Sequence, residues 1–253
     1  MSLTRLALKV AAPLPKLEAY DRYLFIGPHP DDIEIGAGAT AAKLAAMGKS
    51  VCFLVCLDGR YGSAVIPPEE LIEIRKKEAL ASAKALGVED VRFLGLSDGG
   101  FYGFDELMRG IASVVGDFKP DLILAPDPEV TSECHADHLN VGNAARRIAY
   151  FAPYENLMAG YGAAGAPVKA LAYYMTAHPT RFVGTKGYLR QQLDAIFKCH
   201  VSQFPEGCAD GKAIALYLRL RSADFGIRSL KGSAEGFRVL GVTQMHCLPE
   251  AGR

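Results

Sequence analysis

The chain has no surplus of charge of either sign and no long hydrophobic run. Its 28 basic residues balance 28 acidic residues over a length of 253, so the attraction to phosphates that supplies most non-specific DNA affinity has no global source. The apolar stretch at residues 1–12 contains Arg5 and Lys9 and is too short for a signal sequence or a membrane span. We therefore expect a cytoplasmic protein with no nucleic-acid partner and no membrane span.

Cysteine is also sparse for a disulfide-stabilised protein. Six cysteines are spread over the chain without a C-x-x-C pair, which argues against a disulfide scaffold or a paired-cysteine metal site. Two of them, Cys52 and Cys56, lie in an apolar run typical of a buried strand, where small thiols pack as hydrophobic groups. We expect reduced thiols in an intracellular protein.

Short β-branched apolar runs alternate with longer helical segments, which is typical of a parallel sheet covered on both faces. The predicted strands are 23–27, 51–57, 91–94, 121–125 and 171–176. The predicted helices are 36–47, 69–86, 104–116, 136–150 and 186–199. We expect an α/β fold: a Rossmann-like, mostly parallel sheet with helices on both faces. It forms a single domain over 1–253, with a core of about 20–200 and a small C-terminal extension at about 201–253.

Two short polar clusters follow the first and the fourth predicted strands. The first is Pro-His-Pro-Asp-Asp-Ile-Glu at 28–34, and the second is Glu-Cys-His-Ala-Asp-His at 133–138. In a doubly wound sheet of order 3-2-1-4-5, strands one and four are neighbours, and ligands bind in the crevice between their carboxyl ends. The two clusters should therefore meet in space. The glycine-rich segment 95–103 is a candidate substrate loop at the same edge.

The composition of the clusters indicates a divalent metal. Pro28 and Pro30 stiffen the turn around His29, and three carboxylates within four residues repel one another unless a cation lies among them. His135 and His138 are three residues apart at a helix start, which places both on one face. One of them can bind metal while the other faces the substrate.

These clusters together resemble the LmbE/PIG-L family of zinc-dependent N-acetylglucosaminyl deacetylases. The resemblance covers most of the chain and extends to weaker motifs: Arg75-x-x-Glu78, Leu86-Gly87, Gly95-Leu96-x-Asp98-Gly99, His200-x-Ser202-Gln203 and Glu235-x-Phe237. The departures are Ala136, where a proline is common, and Glu133-Cys134, where members vary.

The resemblance implies one Zn²⁺ per chain, held by His29, Asp32 and His138. Three protein ligands leave a fourth position open for water, as in catalytic zinc sites. Fe(II), Co(II) or Ni(II) can occupy the same ligands. A thiolate from Cys134 would instead close the open position.

The same resemblance assigns the chemistry. Asp31 takes a proton from the attacking water. A protonated His135, which Asp137 favours by accepting a hydrogen bond, stabilises the charge on the carbonyl oxygen. Arg75 and Asp98 are candidate substrate contacts. The implied activity is removal of the acetyl group from an N-acetylglucosamine-type sugar, in an enzyme that is expected to form a homo-oligomer.

Four alternatives stay open at this point. The enzyme could hydrolyse a related amide in a sugar–thiol conjugate. His29-x-Asp31 with a distal histidine also spells the ligand triad of a non-haem iron oxygenase. Gly-x-Gly-x-x-Ala at 36–41, with Asp58 further on, matches a dinucleotide-binding motif, but the glycines do not follow the strand directly and the neighbouring carboxylates would face a pyrophosphate. The last alternative is a metal-binding or nucleotide-binding protein without turnover.

Overall fold

The computed structural model describes residues 3–246, which form a seven-stranded sheet with helices on both faces. The strands are Arg22–Gly27 (β1), Ser50–Leu57 (β2), Asp90–Leu96 (β3), Leu122–Pro126 (β4), Ala170–Tyr174 (β5), Arg181–Gly184 (β6) and Ala234–Gly241 (β7). The helices are Leu3–Ala11 (α1), Asp32–Ala46 (α2), Pro68–Ala85 (α3), Phe104–Phe118 (α4), Ala136–Phe151 (α5), Glu155–Gly160 (α6), Leu189–Cys199 (α7) and Ala209–Ser229 (α8).

The strand order is β3-β2-β1-β4-β5-β7-β6. The first five strands pair in parallel, whereas β7 runs antiparallel to both β5 and β6. β1 lies between β2 and β4, with Tyr23 opposite Leu122 and Phe25 opposite Leu124. The predicted mostly parallel α/β fold and the adjacency of strands one and four are confirmed.

Each central strand is apolar along its whole length because both faces of the sheet are covered. In β1, Leu24 and Ile26 belong to the core under α4 and α5, whereas Tyr23 and Phe25 belong to the core under α2 and α3. Alternate residues of a strand point to opposite faces, so a continuous apolar run is what two buried faces require.

The end of the chain contributes more to the sheet than its sequence pattern indicates. Strand β7 lies between β5 and β6, and it was not predicted because Glu235 and Arg238 interrupt its apolar pattern. Both charges are satisfied internally: the Arg238 guanidinium pairs with Asp127, at 2.9 and 2.5 Å, just after β4. Helices α1, α6 and α8 and strand β6 were not predicted either.

The expectations about membrane spans and cysteines can be compared with the described part of the chain. No helix within residues 3–246 combines the length and apolarity that crossing a bilayer requires. Five cysteines are free thiols, with Cys52 and Cys56 buried in the core, and Cys247 lies outside the described residues.

Candidate metal centre

The first polar cluster occupies the turn between β1 and α2. Asp31 precedes the first residue of α2 with φ 122°, a conformation that costs a non-glycine residue about 1–3 kcal/mol. Arg75 of α3 holds this turn: its Nη2 donates to the Pro30 carbonyl at 2.6 Å and to Asp31 Oδ2 at 3.2 Å. The surrounding structure therefore compensates a strained backbone at a residue expected to act in catalysis.

The second cluster lies at the start of α5. His135 caps this helix, since its Nδ1 accepts a hydrogen bond from the Asp137 backbone N–H at 3.3 Å. His138 follows one turn later, and the two imidazole rings stack with centroids 4.7 Å apart. The three-residue spacing places both rings on one face, as predicted.

The two clusters meet at the carboxyl ends of β1 and β4. The rings of His29 and His138 have centroids 5.4 Å apart. One carboxylate oxygen, Asp32 Oδ2, lies 3.1 Å from His29 Nδ1 and 3.5 Å from His138 Nε2. The prediction that two clusters more than a hundred residues apart share one site is confirmed.

The two distances from Asp32 Oδ2 are compatible with ligands of a single transition-metal ion. Bonds of about 2.0–2.2 Å in a tetrahedral site place neighbouring ligand atoms roughly 3.4 Å apart, which is close to the two distances measured from Asp32 Oδ2. The imidazoles of His29, His135 and His138 also offer nitrogen atoms that all lie within 4.8 Å of one another. This group can hold a metal ion, with Asp32 or His135 beside the two other histidines.

His29 and His138 each contact a second carboxylate in addition to Asp32. His29 Nε2 lies 3.2 Å from Asp137 Oδ2, and His138 Nδ1 lies 2.9 Å from Glu133 Oε2. Metal-binding histidines commonly donate their other ring N–H to a carboxylate in this way. The arrangement leaves Nδ1 of His29 and Nε2 of His138 directed at Asp32.

Glu133 was not among the predicted site residues and was noted only as a departure from the family pattern. Its side chain bonds the His138 ring and also accepts from the His135 backbone N–H at 2.7 Å. The only signal in the sequence was a carboxylate close to two histidines, and its direction depends on how the loop before α5 folds.

The backbone of the glycine-rich loop bonds Asp137, and two residues of the loop, Asp98 and Gly99, also line the cleft beside the histidines. The buried carboxylate of Asp137 accepts hydrogen bonds from the backbone of Gly99 at 2.7 Å and Gly100 at 3.0 Å, and from Tyr102 Oη at 3.1 Å. Both glycines have positive φ, 76° and 79°, a conformation that glycine adopts most readily. Burial opposes ionisation, but the hydrogen bonds with His29 and Gly99 lower the pKa of Asp137 to about 2.

The predicted hydrogen bond between His135 and the Asp137 carboxylate is not formed. Asp137 Oδ2 lies 3.9 Å from His135 Nδ1, which the capping interaction already occupies, and the carboxylate bonds His29 instead. The pKa of His135 is lowered, by burial first and then by the charges of His29 and His138. The structure therefore favours a neutral His135 over the expected cation.

An open cleft of about 260 Å³ lies beside the histidines. It is lined by His29, Asp31, Tyr61, Gly62, Arg75, Asp98, Gly99, His135 and Gln203. Burial raises the pKa of Asp31 to about 6; the Arg75 charge opposes this shift and the Asp32 charge adds to it. The cleft therefore brings a carboxyl of near-neutral pKa next to the candidate metal ligands.

Both predicted substrate contacts line the cleft but have partners of their own. Arg75 is buried against Gly59, Pro30 and Asp31 and does not lie on a solvated face. Asp98 is also buried and accepts a hydrogen bond from the Tyr61 backbone at 3.3 Å.

Two alternatives do not match the geometry. The thiol of Cys134 is exposed and contacts the Ser132 carbonyl, and among residues 3–246 the metal-binding group contains no cysteine. The dinucleotide interpretation of residues 36–41 is wrong: these glycines lie inside α2, not in a loop after β1, and the amides of Ala39 and Thr40 bind the Glu235 carboxylate.

Comparison with known proteins identifies close relatives of this arrangement. The model of the PIG-L family, described as GlcNAc-PI de-N-acetylase, matches residues 24–149, a range that contains both polar clusters. The diacetylchitobiose deacetylase of Thermococcus kodakarensis is 31% identical over 98% of this chain and 93% of its own length. A 1D-myo-inositol 2-acetamido-2-deoxy-alpha-D-glucopyranoside deacetylase of Thermobispora bispora is 29% identical over 76% of this chain and 71% of its own length.

A solved structure matches the whole fold. The N,N'-diacetylchitobiose deacetylase of Pyrococcus horikoshii superposes with a TM-score of 0.87 at 27% identity, covering 98% of this chain and 97% of that one.

Proposed function

This chain belongs to the PIG-L family of de-N-acetylases, and from that membership we propose that it is a zinc-dependent hydrolase that removes the acetyl group from an N-acetylglucosamine-type sugar. The observation that carries the proposal is the approach of the His29 and His138 imidazoles to one carboxylate oxygen of Asp32 beside an open cleft. The relatives' activities support the reaction and the class of sugar.

The ligands proposed for the metal are His29 through Nδ1, Asp32 through Oδ2 and His138 through Nε2. The orienting carboxylates of Asp137 and Glu133 support this choice of ring nitrogens. Zinc in a site with three protein ligands acts as a Lewis acid on a carbonyl group and activates water for attack.

Asp31 is proposed as the general base. Its carboxyl lies on the cleft wall beside the ligands, and Arg75 holds it there. Because burial raises its pKa to about 6, the ionised form predominates at neutral pH while still binding a proton readily, which suits a general base. We assign to Arg75 the task of positioning Asp31, since its guanidinium is already bonded to protein carbonyls.

His135 is proposed to donate a hydrogen bond to the amide oxygen of the substrate. Its Nδ1 accepts from the Asp137 backbone, so a neutral ring carries its proton on Nε2. About half of the side chain is exposed, and the residue lines the cleft. A neutral donor at this position stabilises negative charge that develops on the carbonyl oxygen. Asp98, which also lines the cleft, is proposed to accept a hydrogen bond from a sugar hydroxyl.

The test is amine release from N-acetylglucosamine, diacetylchitobiose and N-acetylglucosaminyl-inositol, measured together with zinc content. We expect amine from at least one sugar, abolished by a chelator and restored by zinc. Asp32→Asn is expected to lose zinc. Asp31→Asn should keep zinc and lower kcat by about 10²–10⁴-fold, which is the usual contribution of a general base.

Two further variants test whether His135 is a metal ligand and whether the Cys134 thiol has a role in the site. His135→Gln should retain zinc and lose turnover, whereas loss of zinc would place His135 among the ligands instead. Cys134→Ser serves as the matched control and should change neither quantity. Full hydrolysis by zinc-loaded Asp31→Asn would refute the proposed base, and absence of amine release from every sugar would refute the proposed substrate class.

A further inference from the structure

Helix α2, which begins with Asp32, is interrupted one turn after its start. Ala37 has φ −153° and ψ 18°, outside the helical range, and glycines stand on both sides of it. Each glycine lowers helix propensity by about 1 kcal/mol relative to alanine. The interruption separates the short turn that carries the proposed metal ligand from the regular helix behind it.

On the C-terminal side of the interruption, two backbone N–H groups of α2 bind a carboxylate from β7. In an unbroken helix the N–H of Ala39 would donate to the Ile35 carbonyl, four residues earlier. Here Ala39 N lies 3.2 Å from Glu235 Oε1, and Thr40 N lies 2.7 Å from Glu235 Oε2. The two carboxylate oxygens thus serve the two amides, as an anion does at a helix N-terminus.

On the N-terminal side of the same interruption, backbone carbonyl groups of α2 bind a side-chain amide from α7. Gln192 Nε2 donates to the Glu34 carbonyl at 2.8 Å and approaches the Ile35 carbonyl at 3.4 Å. Gln192 is buried, with 2% of its surface exposed. Backbone groups released by a break in a buried helix need partners, and side chains from two distant elements supply them.

The glycines let these partners approach the helix backbone. A Cβ on Gly38 would lie 3.0 Å from Gln192 Cγ, and a Cβ on Gly36 would lie 2.2 Å from the Tyr174 ring. The glycines at 36 and 38 therefore leave room for side chains of the protein to pack against the backbone of α2.

We infer that Gln192 and Glu235 form a clamp that sets the direction of the first turn of α2 and so positions Asp32 for the metal. They are positioning residues, since neither lines the cleft beside the histidines. This inference rests on the proposed function only in treating Asp32 as a ligand. Functional sites tolerate displacements of roughly 0.5 Å, so a turn that is free to re-aim would separate Asp32 from His29 and His138.

The test compares Glu235→Ala and Gln192→Ala with Leu240→Ala in the full-length protein. Leu240 lies on β7 as Glu235 does, but it packs on the opposite side of the sheet from α2. Its truncation therefore weakens the strand without touching the clamp. Glu235→Gln, which keeps one acceptor oxygen, serves if the alanine variant does not fold.

Two readouts separate the clamp from general stability: backbone hydrogen exchange and zinc affinity measured by competition with a chelator. We expect both clamp variants to accelerate exchange at residues 34–41 at least tenfold while residues 43–46 stay protected, and to weaken zinc binding by about 10–100-fold. Glu235→Gln should show an intermediate effect. Leu240→Ala should keep wild-type zinc affinity and show no local acceleration.

The outcomes are decisive in both directions. Exchange at 34–41 that matches the wild type, or changes equally in Leu240→Ala, overturns the clamp. Local acceleration with unchanged zinc affinity overturns the positioning of Asp32. If the wild type binds no zinc, the proposed function fails, and the exchange comparison still decides whether the clamp exists.

Discussion

At the scale of single residues, the candidate centre is organised by carboxylates that select one nitrogen of each histidine ring. Asp137 bonds Nε2 of His29, and Glu133 bonds Nδ1 of His138. An imidazole held in this way presents its remaining lone pair in a defined direction and is a stronger ligand. The residue types of the ligands alone would not have indicated which nitrogen faces the metal.

Glu133 provides the test at this scale. We expect Glu133→Ala to weaken zinc binding by about 10–100-fold, because the His138 ring loses the partner that orients it. Cys134→Ser, one residue further on, is the control and should bind zinc as the wild type does. A chelator titration measures both variants, and equal affinities for Glu133→Ala and the wild type would show that His138 is oriented by its packing.

At the scale of elements, one helix combines the site and the clamp. Helix α2 begins at the first polar cluster, breaks at Ala37, and is bonded there by side chains from α7 and β7. Burial raises the pKa of Glu235 to about 7, although its hydrogen bonds with Thr40 and Ala39 oppose the shift. Arg221 lines the same cavity as Glu235.

The raised pKa of Glu235 predicts a specific pH dependence. An unfolded glutamate ionises near pH 4.3, so between about pH 5 and 7 the folded chain holds a proton that the unfolded chain has released. The contribution of Glu235 to the free energy of unfolding therefore falls as pH rises through this window.

The variant Glu235→Gln lacks this titration. Its free energy of unfolding, relative to the wild type, should increase by about 2–3 kcal/mol between pH 5 and pH 8. Urea unfolding of both proteins at each pH measures the difference, in which other titrating groups cancel. A difference that stays constant across this range would show that Glu235 ionises normally in the folded protein.

At the scale of the whole molecule, strand β7, from the last part of the described chain, lies inside the sheet between β5 and β6. Strand β7 pairs with β5, from Ala170 opposite Gly241 to Tyr173 opposite Arg238, and it pairs with β6 on its other edge. The clamp on α2 depends on this pairing, because β7 carries Glu235. The expected cytoplasmic location and homo-oligomer remain predictions from the sequence.

Phe237 tests whether β7 is part of one cooperative core. This side chain is fully buried against the α2 side of the sheet, and truncating a buried phenylalanine typically costs 3–5 kcal/mol. We expect Phe237→Ala to lower the free energy of unfolding by about this amount while the urea transition stays single. A separate early transition, or a loss below about 1 kcal/mol, would mean that the C-terminal segment folds independently of the sheet.

Five parallel strands, five of the helices and the two polar clusters were predictable from the sequence, because periodicity and turn residues are local properties. The bounds of the strand 122–126 and the helix 136–151 differ from the predicted bounds by at most one residue. Strand β7 was not predictable by the same reasoning, since Glu235 and Arg238 break its apolar pattern. Their partners, the backbone of α2 and Asp127, lie far away along the chain.

The order of residues alone established an α/β sheet and a polar crevice between strands one and four, because hydrophobic periodicity and the rules of parallel crossover connections depend on short segments. Only the folded molecule decided which carboxylate bonds which histidine, that His135 caps a helix, and that the glycines at 36–38 receive protein side chains. The bonds that Asp137 makes to His29 and to the glycine-rich loop, and the binding of Glu235 to α2, join groups some forty to two hundred residues apart. The bond of Glu133 to His138 and the cap by His135 are local along the chain. In each case the direction of the side chain depends on the packing of whole elements.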